Sequence, residues 1–281
     1  MTNLTRRKIK NYIALVFTGI AAGIGLFFLV FILYEVLKNG ISSIRIELFT
    51  QDPAPPGMEG GGLRNAFVGQ ALLTVGAIIL GVPLGILGGT FLAEYGRNSK
   101  FAKFISNVSD IMVSIPSIVV GTFVYAILVY PVGQFNGWAG AVALAIIMVP
   151  VVIRTTEDML KLVPWSLREA AFALGAPYYK VILQVVYKSA ASGILTGSLL
   201  AIARIAGETA PLLFTSFNNN FFTLKMNEPM ASLTVTIFNY AMGPYEDWHS
   251  QAWAAAFVIT VTILFITIIS RIFVRRRFSH K

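Results

Sequence analysis

Asn65–Ala93 contains no charged side chain, and this is the feature that most limits what the chain can fold into. Inside a bilayer every backbone N–H and C=O must be satisfied within the protein. A helix of about 20 apolar residues is the simplest segment that crosses roughly 30 Å of hydrocarbon. Asn11–Tyr34 and Trp248–Ser270 repeat the pattern, and Ile111–Ile153 is also charge-free but too long for one crossing. Pro131, Gly133 and Gly137, within YPVGQFNGW (130–138), place a turn inside it and divide it into two spans. Ser189–Phe214 is another apolar stretch, interrupted by Arg204 and Glu208. These runs predict an all-α integral membrane protein with six transmembrane helices. Only 12% of residues are charged, against about 25% in soluble domains, so the chain has too little charge to cover a water-facing surface.

Lysine and arginine collect on the cytoplasmic side of membrane proteins. With six spans and the N-terminus inside, seventeen basic residues face the cytoplasm. They fall in four groups, at 6–10, 97–103, 154–188 and 271–281. Only Lys38, Arg45, Arg64 and Lys225 lie outside. Both termini are therefore expected in the cytoplasm of a multi-pass plasma-membrane protein. The net charge of +9 is this bias, which removes the argument for a nucleic-acid partner and leaves the lipid bilayer. The apolar core of the first span exceeds the usual 7–15 residues of a secretory signal, and no A-x-A-like site follows closely. It reads as a retained anchor. The chain has no cysteine and two histidines, His249 and His280. Thiolate chemistry is excluded, and no metal or acid–base constellation is expected.

Lys38–Arg64 holds QDPAPPGMEGGG (51–62) and reads as an external loop; Ser216–Asp247 is a second, expected to fold partly back against the spans. The longest cytoplasmic connection, Arg154–Lys188, contains VPWSLREAAFALGAP (163–177). Ser166 and Glu169 have the spacing of an S-x-x-E capping box. Leu167, Ala170, Ala171 and Leu174 follow at helical spacing, Gly175 suits a helix C-terminus, and Pro177 suits the start of the next helix. This predicts a short capped helix at the cytoplasmic mouth. It serves either as an interfacial helix on lipid headgroups or as a surface where small alanines admit a partner.

Arg204 and Glu208, four residues apart, read as neighbours on one face of the fifth span. One reading is mutual neutralisation. The other is a substrate path, since a charge inside the bilayer costs at least about 2.5 kcal/mol and usually marks function. The order Arg before Glu is the weaker one for a helix pair, which favours the second reading. Pro211 is expected to break the helix and free backbone groups near Thr209. Asn65 and Thr74, on the second span, are weaker lining candidates. Their alternative is ordinary polar packing between helices.

EAAFALG (169–175) resembles the EAA loop of ABC-importer permeases, with Glu169, Ala170, Ala171 and Gly175 matching. The I-x-L-P that ends that pattern is absent: Val185 stands for the Ile, and Tyr187–Lys188 for Leu-Pro. GGLRNAFVGQALLT (61–74), GTFLAEYG (89–96), IPSIVVGTFVY (115–125), ARIAGETAPLLFT (203–215) and SLTVTIFNYA (232–241) narrow the resemblance to PstA-type permeases of phosphate importers. The resemblance implies a type I ABC-importer permease architecture and alternating access. It also implies a related PstC-type permease, two copies of an ATP-binding subunit and an external phosphate-binding protein. On this reading residues 1–64 form the tail, first span and external loop. Residues 65–274 form a five-span core with the EAA loop at 154–188, and residues 275–281 form a basic cytoplasmic tail.

No G-x-x-x-x-G-K-[ST] occurs, nor any Gly-Lys pair. ATP and Mg therefore belong to the partner ATPase. Glu169, Ala170, Ala171 and Gly175 are the expected docking surface. Arg204, Glu208, Thr209, Asn65 and Thr74 are the expected substrate path, with guanidinium suited to phosphate oxygens. Neighbouring expectations are a permease for another oxyanion, such as sulfate or molybdate, and a non-conducting scaffold subunit.

Overall fold

The computed structural model describes residues 3–96 and 99–278, and side chains to residue 268. Arg97, Lys281 and residues 279–281 of the expected 275–281 tail lie outside the described residues, and of Arg271, Arg275, Arg276 and Arg277 only the helical backbone is described. Among the described residues the chain is helical, with no strand beyond an isolated Pro53–Gly61 bridge.

The first span is one helix, α1 (Asn3–Ser42), with the apolar stretch facing outward along its length. Near its end Gly40 is buried against Phe257 and the Trp253 carbonyl, where a Cβ would collide. The external loop then makes a short turn of helix, α2 (Glu47–Thr50), whose Leu48 is buried. Arg64 closes this loop with two bonds to Asp52, Nε–Oδ1 3.1 Å and Nη2–Oδ2 2.8 Å.

The second span, α3 (Arg64–Thr90), runs through Pro83 and continues as a π-helical turn over Phe91–Tyr95. It packs on the helix Gly137–Lys161 along Gly81, Gly85 and Gly89. Spaced four apart, these glycines lie against Met148, Val152, and Ile153 with Thr156. Small residues at that interval let two backbones approach in the absence of a hydrophobic driving force. The GILGG run (85–89) lies at this interface, with Gly88 against Ile153 as well.

The third span differs from the expected one. Helix α4 (Lys100–Ser114) is followed, after a bend of 107°, by α5 (Ser117–Val124) and a π-helical turn over Tyr125–Val129. Pro116 does not kink a helix; it separates two. A proline disfavours helical backbone in the residue before it, and Ile115 is extended, with ψ 131°. The expected turn at 130–138 is present, with Gly133 at φ +77°. Asn136 caps α6 (Gly137–Lys161) through a 2.8 Å bond from Ala139 N–H.

The connection after α6 forms α7 (Trp165–Ala173) and α8 (Tyr178–Lys180). The chain then continues through a π-helical stretch, Val181–Val186, into α9 (Tyr187–Ala206). The capping box is absent. Pro164 occupies the N-cap, no side-chain cap bond forms, and Ser166 lies inside the helix. The helix starts two positions earlier than the serine spacing suggests, at Trp165 rather than Leu167.

The fifth span also ends early. Helix α9 stops at Ala206, and α10 (Ala210–Leu213) starts afresh with Pro211 in its first turn. Gly207 is a poor helix former, and Pro211 has no N–H to offer the Gly207 carbonyl four residues back. The external segment after it does fold back. Met230–Ser232 are buried, and α11 (Leu233–Ala241) packs on α3 and on the last span, α12 (Glu246–Phe278). Among the described residues, five helices are long and apolar enough to cross a membrane, or six with the bent α4–α5 pair.

Candidate functional site

Two of the Arg–Glu pairs differ sharply in burial. The first is at the break after α9. Arg204 stands in the last turn of a continuous 29-residue helix, Tyr178–Ala206, about 43 Å long at 1.5 Å per residue. Glu208 lies beyond the helix end, so the two are not neighbours on one helix face. Their closest approach, Arg204 Nε to Glu208 Oε1, is 4.0 Å. The arginine side chain is 46% exposed and the glutamate 18%. Arg204 is thus on the outside of this chain's helix packing rather than in its core. It borders a cavity of about 230 Å³ whose other walls, Ser117 apart, are apolar and include Met112, Val120, Phe123 and Ile147.

The backbone at the break is held by side chains from elsewhere. Gln70 Nε2, on α3, donates to Ala206 O at 3.2 Å, and Thr234 Oγ1, on α11, donates to Glu208 O at 2.9 Å. Thr209 is half-buried and its carbonyl accepts from Leu212 and Leu213 N–H. Thr74 is tied to this group because its hydroxyl accepts from Gln70 at 3.3 Å. Asn65 is not. It is buried at the outer start of α3, where its Nδ2 donates to the Asn219 carbonyl. That loop is further fastened at Glu228, which accepts from Thr223 and Lys225. The Thr223 hydroxyl and the Lys225 ammonium hold the Glu228 carboxyl below the usual carboxylate range.

The second pair involves the connection between α6 and α9. Arg168 on α7 bonds Glu94 in the π-helical turn after α3, Nη2–Oε1 2.6 Å and Nε–Oε2 3.4 Å. Their side chains are 6% and 2% exposed. The remaining guanidinium donors reach Val163 O at 2.6 Å and Leu160 O at 3.1 Å. Tyr178 Oη completes the cluster with bonds to Glu94 O and Oε2 at 3.0 and 3.2 Å. A buried ion pair is tolerated when its spare donors and acceptors are filled in this way. Nearby, Arg154 joins Glu157 to Ser106 and Asp110 of α4.

Glu169 and Ala170 are exposed on α7, while Ala171 is half-buried. Gly175 ends the helix at φ +78°, with open space around its Cα. Its N–H bonds Phe172 O at 2.9 Å, and Ala176 N–H bonds Ala171 O at 3.2 Å, the paired arrangement of a Schellman cap. Glu169, Ala170 and Gly175 are thus each exposed on or just after α7, a helix that Arg168 anchors to Glu94. Arg168, Glu94, Tyr178, Gln70 and Thr234 were not among the site residues expected from sequence. Two signals were there to read. Glu94 ends a charge-free stretch, and Gln70 is a polar amide within an apolar span.

Residues 64–279 match the family described as "Binding-protein-dependent transport system inner membrane component". The chain is 52% identical over 266 residues to "Phosphate transport system permease protein PstA" of Yersinia pestis, covering 95% of this chain and 90% of that one. It is 49% identical over 272 residues to the protein so named from Pasteurella multocida (strain Pm70), covering 97% of each. Among solved structures, an inward-facing form of the MetNI methionine ABC transporter is similar with a TM-score of 0.59 at 19% identity. That likeness covers 76% of this chain and 94% of the other, and it concerns the fold alone.

Proposed function

This chain belongs to the family of binding-protein-dependent transport system inner membrane components, and from that premise we propose how its two Arg–Glu sites divide the work of moving phosphate. The chain is a multi-pass plasma-membrane transport subunit, the permease of a phosphate ABC importer, and not an enzyme. An ATPase and an external substrate-binding protein are its partners. The finer reading adds a PstC-type permease beside it, two copies of the ATPase beneath, ATP and Mg held by those copies, and both termini in the cytoplasm. It also keeps the division into residues 1–64, the core 65–274 and the tail 275–281.

The observation that carries the path assignment is the state of Arg204. A guanidinium this exposed at the end of an apolar helix is costly unless something covers or wets it. A second permease across the Arg204 face encloses it and turns a surface groove into a conduit. The loose contact to Glu208 leaves guanidinium donors for phosphate oxygens. A site of one cation tempered by a nearby carboxylate attracts the anion without trapping it, as conduction requires. At the other end the exposed face of Glu169, Ala170 and Gly175 receives the ATPase. Its motion reaches α3 through Arg168 and Glu94, and α6 through the glycine contacts.

The test is phosphate uptake by the assembled importer carrying Arg204→Ala or Glu208→Ala, with expression and ATPase docking checked. Arg204→Ala is expected to lower uptake at least a hundredfold with assembly intact. Wild-type uptake by both variants rejects the path assignment. Competition by sulfate or molybdate as strong as by unlabelled phosphate rejects phosphate as the substrate.

A further inference from the structure

The break after α9 poses a problem that its own backbone does not solve. The last carbonyls of a helix lack intrahelical donors. Here Gly207 N–H takes Arg204 O at 3.2 Å and Glu208 N–H takes Ile205 O at 3.2 Å. Thr209 O is taken within α10. Ala206 O and Glu208 O are supplied by side chains from two other helices, Gln70 at 3.2 Å and Thr234 at 2.9 Å. Both side chains are buried, at 7% exposure each.

Unfilled carbonyls at this place have two consequences for an anion path. They turn the negative end of the peptide dipole, and of the helix as a whole, toward the anion. They also offer the guanidinium two residues away a nearby acceptor, because arginine in a last turn readily bonds the final carbonyls of its own helix. Arg204 has no such bond among the described residues; its ionic contact is Glu208 at 4.0 Å.

We propose that Gln70 and Thr234 are positioning residues for phosphate: by occupying the Ala206 and Glu208 carbonyls they keep the Arg204 guanidinium free for the anion and fix the break that presents it. The proposal rests on the reading of Arg204 as part of the phosphate path. It assigns Gln70 and Thr234 no contact with phosphate. Thr74, which accepts from Gln70, steadies the amide in the orientation that donates to Ala206 O.

The experiment measures phosphate uptake and binding-protein-stimulated ATP hydrolysis side by side in the reconstituted importer. Thr234→Val keeps the shape of the side chain and removes the donor; Thr234→Ser keeps the donor. Thr234→Val and Gln70→Met are each expected to lower maximal uptake three- to tenfold, with stimulated ATP hydrolysis within twofold of wild type. Thr234→Ser is expected to restore uptake to at least half. The proposal is overturned if Thr234→Val transports at the wild-type rate, or if Thr234→Ser is as impaired as Thr234→Val. It is also overturned if ATP hydrolysis falls in parallel with uptake, which marks a packing role. Should Gln70→Met fail to assemble, the Thr234 pair decides alone. Arg204→Ala, run alongside, separates the two levels. Wild-type uptake by Arg204→Ala removes the path reading itself. Loss of uptake there with normal Thr234→Val uptake removes only the positioning role.

Discussion

The Arg168–Glu94 and Arg204–Glu208 pairs have the same two side chains and opposite constructions. The first joins residues 74 positions apart at 2.6 Å. Both partners are almost fully buried, and the spare donors of Arg168 are filled by two carbonyls. The second joins residues four positions apart at 4.0 Å, with the arginine nearly half exposed. Burial with full satisfaction makes an ion pair a fixed joint. Looseness with exposure leaves a cation available to something else. Chemistry alone does not separate a joint from a site; the number of filled donors does.

The sharpest way to break the comparison is to remove one acid from each pair. Glu94→Ala leaves Arg168 buried without its counter-ion, a change that costs about 3–5 kcal/mol. It should lower the thermal unfolding midpoint of the detergent-solubilised protein by many degrees. Glu208→Ala should move it hardly at all, since exposed pairs contribute about 0–1 kcal/mol. Equal losses of stability from the two variants would falsify the contrast.

Replacing both members of the buried pair together, Glu94→Leu with Arg168→Met, tests whether that joint works by charge or by shape. Apolar replacements of buried pairs are often neutral or stabilising, so most of the Glu94→Ala loss should return. Uptake measured in the same protein then reports whether a greasy joint still transmits motion from α7 to α3.

On the other pair, Arg204→Lys keeps the charge and loses the planar fork of donors. Uptake should fall about tenfold, equivalent to about 1.4 kcal/mol; undiminished uptake shows that a point charge suffices. Gly175→Ala forces a Cβ into a left-handed backbone at a cost of about 1–2 kcal/mol, although nothing crowds the position. Its signature is reduced ATPase co-purification with normal membrane insertion, and unchanged co-purification removes Gly175 from the docking surface. The smallest effect is expected from Glu208→Gln, which keeps the volume and removes the charge. Uptake should change less than about threefold, a difference of roughly 0.6 kcal/mol. A larger fall means that the glutamate carries more than its distance from Arg204 suggests.

Much of the architecture follows from local pattern. Charge-free length sets the spans, Pro131 with Gly133 and Gly137 marks the turn before α6, and the glycines of GILGG mark a close helix contact. Gly175 was legible because a helix ending at φ +78° needs a glycine there. The capping box was misread because the same connection offers two N-terminal signals, Pro164 and Ser166 with Glu169, and spacing does not rank them. The third span was misread because composition counts apolar residues on both sides of Pro116 alike, whereas the backbone turns there by 107°.

What the sequence by itself determined is the set of elements, the side of each helix that is small or apolar, and the presence of charges where lipid is expected. These depend on residues within a few positions of one another. The tertiary structure decided that Arg168 meets Glu94, and that Gln70 and Thr234 reach the two carbonyls at the break. Each of those contacts joins different helices, the nearest in sequence 26 residues apart. A backbone carbonyl left over at a helix end has no sequence signature of its own donor. Only the packing of α3 against α9 and of α11 against α10 brings those donors within reach.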